Sequence, residues 1–332
     1  MKYRLVSERA AMRVLIFVLL SAIVGASTAQ SFPTPGKPLR IVVPFPPGGT
    51  TDIQARALAP KLSQSLGVPT VVENKPGAST IVGAQDVIRS LPDGHTLLYT
   101  ISSTAAQNPH LFSKLPYDPF RDLTPIMFAA RSPTILVAPA GAPFGSVKEL
   151  IAYARANPGR VNFGSFSLGS TSHLNGELLK QNAGIEIVHV PYKGSSDAIV
   201  GLLSGQVQLL FDGPTTAINN ARAGKVKLLA VADERRTSAA PDVPTLMEAG
   251  VPGFEKVMGG LQFFGPGAMS RPIVDKVNAE LAKALRQSDV VRLYLEGGTE
   301  IIASSADEHA RIVKESYEFF GTLIRKLGIK LD

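Results

Sequence analysis

From residue 39 onward, short β-rich runs alternate with stretches that have the pattern of helices, and this alternation constrains the fold more than any other feature. It favours an α/β architecture over a β-sandwich. After residue 264 the pattern becomes mostly helical. The predicted strands are Leu39–Val43, Thr70–Glu73, Thr96–Ile101, Thr134–Ala138, Asn162–Ser165, Glu186–Val190, Val207–Phe211, Lys227–Ala232 and Gly259–Phe264.

Joints rich in proline and glycine at residues 139–145 and 241–253 indicate two lobes rather than one large sheet. The chain would cross between two facing α/β lobes twice. We therefore predict a discontinuous lobe 1, made of residues 36–130 plus 251–332, and a lobe 2 made of residues 131–250.

The first 29 residues have the features of a secretory signal peptide. Cations at the start are followed by an apolar run from Val14 to Val24, and Ser27 and Ala29 are small residues at a cleavage point. A membrane anchor is the alternative, but the run is shorter than the roughly 20 residues of a spanning helix. We expect an exported protein.

The exported chain would contain no cysteine, so a buried core rather than disulfides must stabilise it. About 300 residues suffice for one large or two ordinary domains. The formal charge of +7 falls to +4 without the first 29 residues, which carry four cations and Glu8. This mild excess and the absence of basic runs argue against a nucleic-acid partner.

The segment from Pro44 to Asp52 joins the first predicted strand to a predicted helix. Its prolines and glycines, including Pro47 and Gly48, precede hydroxyls and the Asp52 carboxylate. Outward backbone N–H groups and a helix dipole at such a junction favour an anion.

A second strand-to-helix loop, residues 163–173, offers four hydroxyls and two glycines. It suits a carboxylate or phosphate without a formal positive charge. The spacing from Gly164 to Gly169 imitates a P-loop, but Ser170 occupies the lysine position, so nucleotide hydrolysis is not expected. An ordinary glycine-rich turn with a capping serine is the alternative.

Other polar residues follow strands in the same way. Tyr192 could cover a ligand with its ring and Lys193 could supply a positive charge, or this turn could only pack at the domain edge. Asp212 could accept a hydrogen bond from a ligand or cap the next helix. Ser102 and Thr104 belong to a hydroxyl-rich segment after the third strand. Because ligands of open α/β sheets bind at the carboxyl ends of strands, we expect these loops to share one cleft.

Catalysis and metal binding have weaker support in the sequence. The five histidines include no pair at helical spacing, and there is no cysteine for a zinc pattern, so no metal site is predicted. His173 could act as a general base for Ser165 or Ser170, or could merely cap or pack the helix end.

Several motifs, in order along nearly the whole mature chain, resemble the extracytoplasmic receptors of tripartite tricarboxylate transporters, also called Bug proteins. They are the signal peptide, residues 44–52 (PFPPGGTTD), 72–78 (VENKPGA), 92–97 (PDGHTL), 190–194 (VPYKG) and 241–245 (PDVPT). The resemblance implies a type 2 periplasmic binding protein, with two Rossmann-like α/β lobes joined by a hinge around a ligand cleft.

The same resemblance implies function and site. It implies a monomeric, non-enzymatic solute receptor without cofactor or metal, which captures a small dicarboxylate, tricarboxylate or aromatic acid for membrane permease subunits. An exported hydrolase or isomerase using His173 with a serine, or a sensor for a membrane kinase, stays open. The implied ligand-binding residues are Phe45, Pro47, Gly48 and Asp52 on one jaw, Ser165, Gly169, Ser170, Thr171 and His173 on the other, and Thr104, Tyr192, Lys193 and Asp212 near the variable end of the ligand. Ser102 is expected to bind in the same cleft because it follows the third strand.

The chain departs from the family pattern in two places. A tryptophan that relatives usually carry before the segment Gly259–Leu261 is missing, which affects the expected packing near the hinge. The Gly/Ser loop contains Phe166 and Leu168, which would bring apolar contacts to the cleft and favour a ligand with a ring or an aliphatic chain.

Overall fold

A computed structural model describes residues 32–254 and 259–331, and residues 33–332 form one compact unit. The predicted signal peptide lies outside the described residues. The strands are β1 (Leu39–Val43), β2 (Thr70–Asn74), β3 (Thr96–Ile101), β4 (Leu123–Arg131), β5 (Thr134–Pro139), β6 (Val161–Ser165), β7 (Ile187–Pro191), β8 (Leu209–Asp212), β9 (Val226–Ala232), β10 (Gly260–Pro266) and β11 (Glu300–Ile301).

The α-helices alternate with these strands in the first two thirds of the chain and follow one another in the last third. They are α1 (Thr50–Leu66), α2 (Ile81–Ile88), α3 (Asn108–Leu111), α4 (Pro119–Asp122), α5 (Val147–Ala156), α6 (Thr171–Ala183), α7 (Ser195–Leu203), α8 (Pro214–Arg222), α9 (Arg271–Leu285), α10 (Ser288–Glu296) and α11 (Ala306–Leu327). A single π-helical turn, Ser103–Gln107, follows β3.

Two separate sheets confirm the predicted α/β fold with two lobes. The first sheet has the order β11-β4-β10-β3-β1-β2, and the second has the order β7-β6-β8-β5-β9. In the first sheet β1 is parallel to β2 and β3, and in the second sheet β6 is parallel to β7 and β8. The strands next to the lobe connections, β4, β5, β9 and β10, pair antiparallel.

Strand β4 was not among the predicted strands, although it contributes the longest run of pairing to the first sheet. Pro125 lies inside it and has no N–H to donate, which argues against a central strand. In the structure Pro125 lies at a register shift, where Phe264 pairs with Pro125 but Phe263 pairs with Met127. The shift leaves one residue unpaired and thereby accommodates the proline.

Each sheet has its own apolar core. Val42, Leu98 and Phe264 are buried in the first lobe, and Leu136 and Phe211 are buried in the second. A further cluster joins the lobes, because Leu111 of the first lobe and Leu174 of α6 pack against α11. The C-terminal helix therefore contacts elements of both lobes.

The chain passes between the sheets directly after β4, through Ser132 and Pro133, and again between β9 and β10. Arg131 at the end of β4 forms an ion pair with the buried Asp233, which directly follows β9. This pair fastens the two crossing segments to each other. Within the described ranges 32–254 and 259–331, no helix is long and apolar enough to cross a membrane.

Candidate functional site

A cavity lies where the carboxyl ends of the strands of the two sheets face each other. It encloses about 560 Å³ of unfilled space, including its open mouth. It is lined by Phe45, Gly49, Thr50, Thr51, Ile101, Ser132, Pro133, Thr134, Phe166, Thr171, Ser195, Gly213, Pro214, Gly259, Gly260 and Leu261.

Four helix N-termini contribute to this lining: those of α1, α6, α7 and α8. Thr50, Thr171, Ser195 and Pro214 are the first residues of these helices, and each of them lines the cavity. None of the four helices has a side-chain hydrogen bond capping its N-terminus. Uncapped first-turn N–H groups and four converging helix dipoles make a site for a negative charge.

The Thr50 hydroxyl provides a second sign that the cavity binds a polar group. Thr50 is 6 % exposed, and its Oγ1 is buried without a hydrogen-bond partner among the described residues. A buried, unpaired hydroxyl is costly, so a native one calls for a partner that occupies the site. Thr50 lines the cavity at the start of α1, where an anion would accept its hydrogen bond.

The lobes are in contact around the cavity. A Cβ built on Gly213 of the second lobe would lie 2.5 Å from Thr50 Oγ1 of the first, so only glycine fits there without displacing Thr50. Gln107 Nε2 donates to Thr171 Oγ1 at 2.9 Å, and Ser79 Oγ donates to the Leu168 carbonyl at 2.8 Å. These contacts cross from lobe to lobe and define a closed arrangement.

Two phenyl rings, one from each lobe, meet at the cavity. The rings of Phe45 and Phe166 are 6.5 Å apart and nearly perpendicular, at 87°. Both side chains are buried. No charged side chain of residues 32–254 or 259–331 is among the residues that line the cavity. Polar recognition there depends on hydroxyls and backbone groups.

An outer groove adjoins the cavity and shares Phe45 with it. The groove is lined by Pro44, Phe45, Gly77, Ala78, Ser79, Thr80, Ser167, Leu168, Pro191, Tyr192 and Lys193. The predicted residues Tyr192 and Lys193 are thus placed in the groove and not in the cavity lining. Lys193 is exposed, and Tyr192 Oη donates to Gln206 Oε1 at 3.2 Å.

Of the predicted first-jaw residues, Phe45 lines the cavity, whereas Pro47 and Gly48 are exposed. Asp52 is buried and binds its own loop: it accepts hydrogen bonds from the Gly48 N–H at 2.9 Å, from Arg56 and from Asn74. Burial raises the pKa of the Asp52 carboxyl, but these hydrogen bonds outweigh burial and hold the pKa below its usual value. Asp52 stabilises the loop that presents α1.

Of the predicted second-jaw residues, only Thr171 lines the cavity. Ser170 Oγ donates to the Ser167 carbonyl at 2.6 Å, and the Gly169 N–H donates to His173 Nδ1 at 3.1 Å. Ser165 Oγ lies 2.7 Å from His189 Nε2 and also donates to the Ser167 carbonyl. These side chains stabilise the conformation of the loop and do not line the cavity.

His173 and His189 form a stacked pair, with ring centroids 3.8 Å apart. Burial lowers the pKa of His173 to about 4, and burial together with the neighbouring His173 lowers the pKa of His189 to about 3. Both rings are neutral at neutral pH. Within the described residues, no hydrogen bond joins His173 to the hydroxyl of Ser165 or Ser170.

The remaining predicted residues are buried beside the cavity. Ser102 Oγ accepts from Gln262 Nε2 at 2.9 Å, and Thr104 Oγ1 lies 2.7 Å from Thr100 Oγ1. Asp212 accepts from the Gly213 N–H at 2.8 Å, from Thr216 Oγ1 at 2.6 Å and from the Ser195 side chain, and so binds the segments around it. Burial raises the pKa of the Asp212 carboxyl to about 6.

Sequence reasoning missed most of the lining residues. The sequence could have indicated four of them, because each is the last residue of a loop or the first of a helix and no capping side chain precedes that helix: Gly49, Thr50, Ser195 and Gly213. The lining segment 132–134 follows β4. Because β4 was not predicted, this segment could not be recognised as the end of a strand. Among the described residues there is no group of three or more His, Asp or Glu side chains placed to hold a metal ion.

Two α/β lobes, joined by two crossing segments and closed around a cavity of helix N-termini, define a solute-binding protein of the two-lobed class. The family model described as the tripartite tricarboxylate transporter family receptor matches residues 54–329. The chain belongs to this receptor family, as its motifs predicted.

Solved structures agree with this assignment. The chain is similar to Rpa4515 of R. palustris with adipate, at 33 % identity and a TM-score of 0.86, covering 90 % of this chain and 99 % of that one. It is similar to the periplasmic binding protein BugD, at 32 % identity and a TM-score of 0.83, covering 90 % and 99 %. It is also similar to MatC of Rhodopseudomonas palustris with bound malate, at 32 % identity and a TM-score of 0.82, covering 88 % and 100 %.

Proposed function

We propose that this receptor captures a small organic carboxylate in the cavity between its lobes. The observation that carries the proposal is the convergence of four uncapped helix N-termini on one cavity without a charged lining side chain. Such a site neutralises a carboxylate with backbone N–H groups and helix dipoles. That similar proteins hold adipate and malate supports this ligand class.

The direct contacts in this proposal come from both lobes. Thr50 and Thr51 would donate from the first lobe, and Thr171 and the backbone N–H of Ser195 from the second, because the Ser195 side chain is bonded to Asp212, while Phe45 covers the ligand. The other predicted site residues that bind their own loops would act by holding those N-termini in place. The lobes would divide as predicted from the sequence, into residues 36–130 with 251–332 and residues 131–250.

Binding would couple to closure of the lobes. The carboxylate binds N-termini from two lobes at once, so only the closed arrangement offers it every donor. Closure also removes the ligand from water, which strengthens each hydrogen bond to its charge. The glycines at the meeting point, Gly49 and Gly213, allow the loops to approach this closely.

The proposed role ends with delivery of the ligand to membrane permease subunits. The family description and the predicted signal peptide support a periplasmic receptor, and we propose that it works as a monomer. We propose no chemistry on the ligand, because the Nδ1 atom of His173 already accepts the Gly169 N–H and its low pKa makes it a weak base.

Thermal unfolding of the purified protein with mono-, di- and tricarboxylates and aromatic acids tests the proposal. A true ligand at 100 times its dissociation constant should add about 2.7 kcal/mol to the free energy of unfolding. A matched panel of amines and neutral sugars should leave the melting temperature unchanged. If no acid in the panel raises the melting temperature, the proposed function is wrong.

A further inference from the structure

The π-helical turn that follows β3 places one buried side chain against a residue of the cavity. A hydrogen bond from the Asn108 N–H to the Ser103 carbonyl, five residues back, closes the turn, and turns of this kind are frequent at functional sites. Its last residue, Gln107, is fully buried and does not line the cavity. Gln107 Nε2 donates to Thr171 Oγ1 of the other lobe at 2.9 Å, and Thr171 lines the cavity. Gln107 therefore meets the cavity through Thr171.

The direction of this hydrogen bond decides what the Thr171 hydroxyl offers to the cavity. A hydroxyl has one proton to donate and two lone pairs that accept. One lone pair of Thr171 Oγ1 takes the Gln107 N–H, and within residues 32–254 and 259–331 no acceptor takes the Thr171 proton. That proton is left for an acceptor in the cavity, and the amide N–H polarises the hydroxyl and strengthens its donation.

The stability of the fold does not explain the Gln107 amide. Its Oε1 atom is buried without a hydrogen-bond partner among the described residues. A buried polar atom without a partner lowers the free energy of unfolding, and an apolar side chain of similar volume would avoid that cost. The chain thus carries an amide at the place where its N–H meets the Thr171 hydroxyl.

Two other hydroxyls, at the N-termini of α6 and α7, face an acceptor instead. The Ser195 side chain bonds to the Asp212 carboxylate, which accepts its proton, and Ser170 Oγ donates to the Ser167 carbonyl at 2.6 Å. Neither hydroxyl has its proton left for a ligand. The neighbouring group therefore decides whether a hydroxyl of this site can donate, and at Thr171 that neighbour is an amide N–H.

We infer that Gln107 is a positioning residue, which keeps the Thr171 hydroxyl a donor towards the bound carboxylate and thereby favours an acid over its neutral amide. Gln107 acts through Thr171 and does not touch the ligand. The inference rests on the proposed function and assigns part of its selectivity to one residue behind the cavity.

Exchange of Gln107 for glutamate tests the inference, because it reverses the hydrogen bond at nearly constant shape. In Gln107→Glu the new carboxylate accepts the Thr171 proton, as Asp212 does from Ser195, and a hydroxyl lone pair faces the ligand. Calorimetric titration with adipate, malate and the panel acid that most raises the melting temperature should show a loss of affinity of at least about 30-fold. Affinity for the corresponding amides, measured by displacement, should rise because their N–H groups can donate to that lone pair.

Gln54→Glu is the matched control. Gln54 is also fully buried, and its Nε2 atom also donates to a threonine hydroxyl, Thr299 Oγ1, at 3.1 Å. Thr299 does not line the cavity, so this variant should leave both affinities unchanged. An equal loss in the two variants would overturn the inference. A loss of acid affinity in Gln107→Glu without a gain for the amides would also overturn it, because a buried negative charge alone produces that result.

A neutral variant decides the question if Gln107→Glu does not fold. Gln107→Met removes the N–H without adding a charge, so it should weaken binding of the acids, but not of the amides, about fivefold, and should have no further effect in Thr171→Val. Equal losses for acids and amides, or the same loss with and without the Thr171 hydroxyl, would overturn the inference and leave the proposed function intact. If no acid binds the wild-type protein, the proposed function fails and the inference fails with it.

Discussion

The two jaws of the site are residues 44–52 of the first lobe and residues 163–173 of the second. They have similar compositions, but their polar groups form different hydrogen bonds. Both are strand-to-helix loops rich in glycine and hydroxyls. The first jaw brings Gly49, Thr50 and Thr51 into the cavity, and among the described residues the Thr50 hydroxyl has no hydrogen-bond partner. The second jaw brings in only Phe166 and Thr171.

The difference lies in where each loop directs its hydrogen bonds. In the first jaw one carboxylate, Asp52, organises the loop and leaves the hydroxyls available. In the second jaw Ser165, Ser170 and His173 all bind the loop itself. A count of hydroxyls in a sequence therefore does not give the number of ligand donors, because a loop without an organising carboxylate uses its own side chains.

Glycine substitutions should separate the two jaws most strongly. Gly49→Val places a side chain against Ser195, whose Cβ lies 3.7 Å from a Cβ built on Gly49, so it should weaken ligand binding at least about 100-fold and leave the fold intact. Gly169→Val should instead lower the free energy of unfolding by about 2–4 kcal/mol, because φ is +72° there and a Cβ would lie 2.6 Å from Leu111 Cδ1.

Calorimetry and denaturant unfolding measure the two effects, with Gly141→Val as a control at a glycine with open space around it. Unfolding of the Gly49→Val protein, or weak ligand binding by Gly169→Val at unchanged stability, would contradict the proposed difference between the jaws.

The jaws should also differ in their response to acid. The pKa of His173 is about 4 in the folded protein, below the ordinary 6.5, so the unfolded chain takes up its proton first as the pH falls. Stability is thus complete above about pH 6.5 and is lost towards pH 4, by about 3 kcal/mol for this group. Asp52 has a lowered pKa and loses its contribution only as the pH falls below its ordinary value of 3.8.

Denaturant unfolding of wild type and His173→Gln between pH 7.5 and 4.5 checks this expectation. The variant should lose less stability over that interval than the wild type. Parallel curves for the two proteins would mean that the second jaw does not titrate through His173.

Single hydroxyl removals should give opposite signatures in the two jaws. Thr50→Val removes an unpaired buried hydroxyl, so it should raise the free energy of unfolding by about 1 kcal/mol while weakening binding about tenfold. Ser170→Ala removes the bond to the Ser167 carbonyl, and should lower stability by about 1 kcal/mol with little direct effect on binding.

Thr70→Val is the matched control for Thr50→Val, because the Thr70 hydroxyl is also buried without a partner but lies outside the cavity. It should be stabilising and leave binding unchanged. Identical losses of ligand affinity in Thr50→Val and Thr70→Val would show that the Thr50 hydroxyl does not bind the ligand.

The smallest effect is expected at the contact between Ser79 and the second jaw. Ser79 Oγ donates to the Leu168 carbonyl across the lobes, so if closure accompanies binding, Ser79→Ala should weaken ligand binding about fivefold and leave the ligand-free stability nearly unchanged. Ser90→Ala removes a similar bond to a carbonyl, that of Asp86, within one lobe and should not affect affinity. Equal affinities of Ser79→Ala and wild type would show that this contact does not favour closure.

The sequence alone determined the α/β class, the family and most strands, because each depends on local periodicity and on ordered motifs. It also placed the polar loops at the carboxyl ends of strands, where parallel pairing brings them together. Strand β4 escaped prediction because Pro125 argues locally against a strand, and a register shift that only the partner strand β10 makes visible resolves the conflict.

The tertiary structure decided which residues of those loops face the cavity. Asp52, Ser170 and His173 have side chains suited to a ligand, yet each hydrogen-bonds its own loop, whereas the Thr50 hydroxyl has no partner within residues 32–254 and 259–331. The physical reason is that a hydrogen-bonding group is available to a ligand only after the fold has satisfied its other partners, and those partners are distant in sequence or set by backbone geometry.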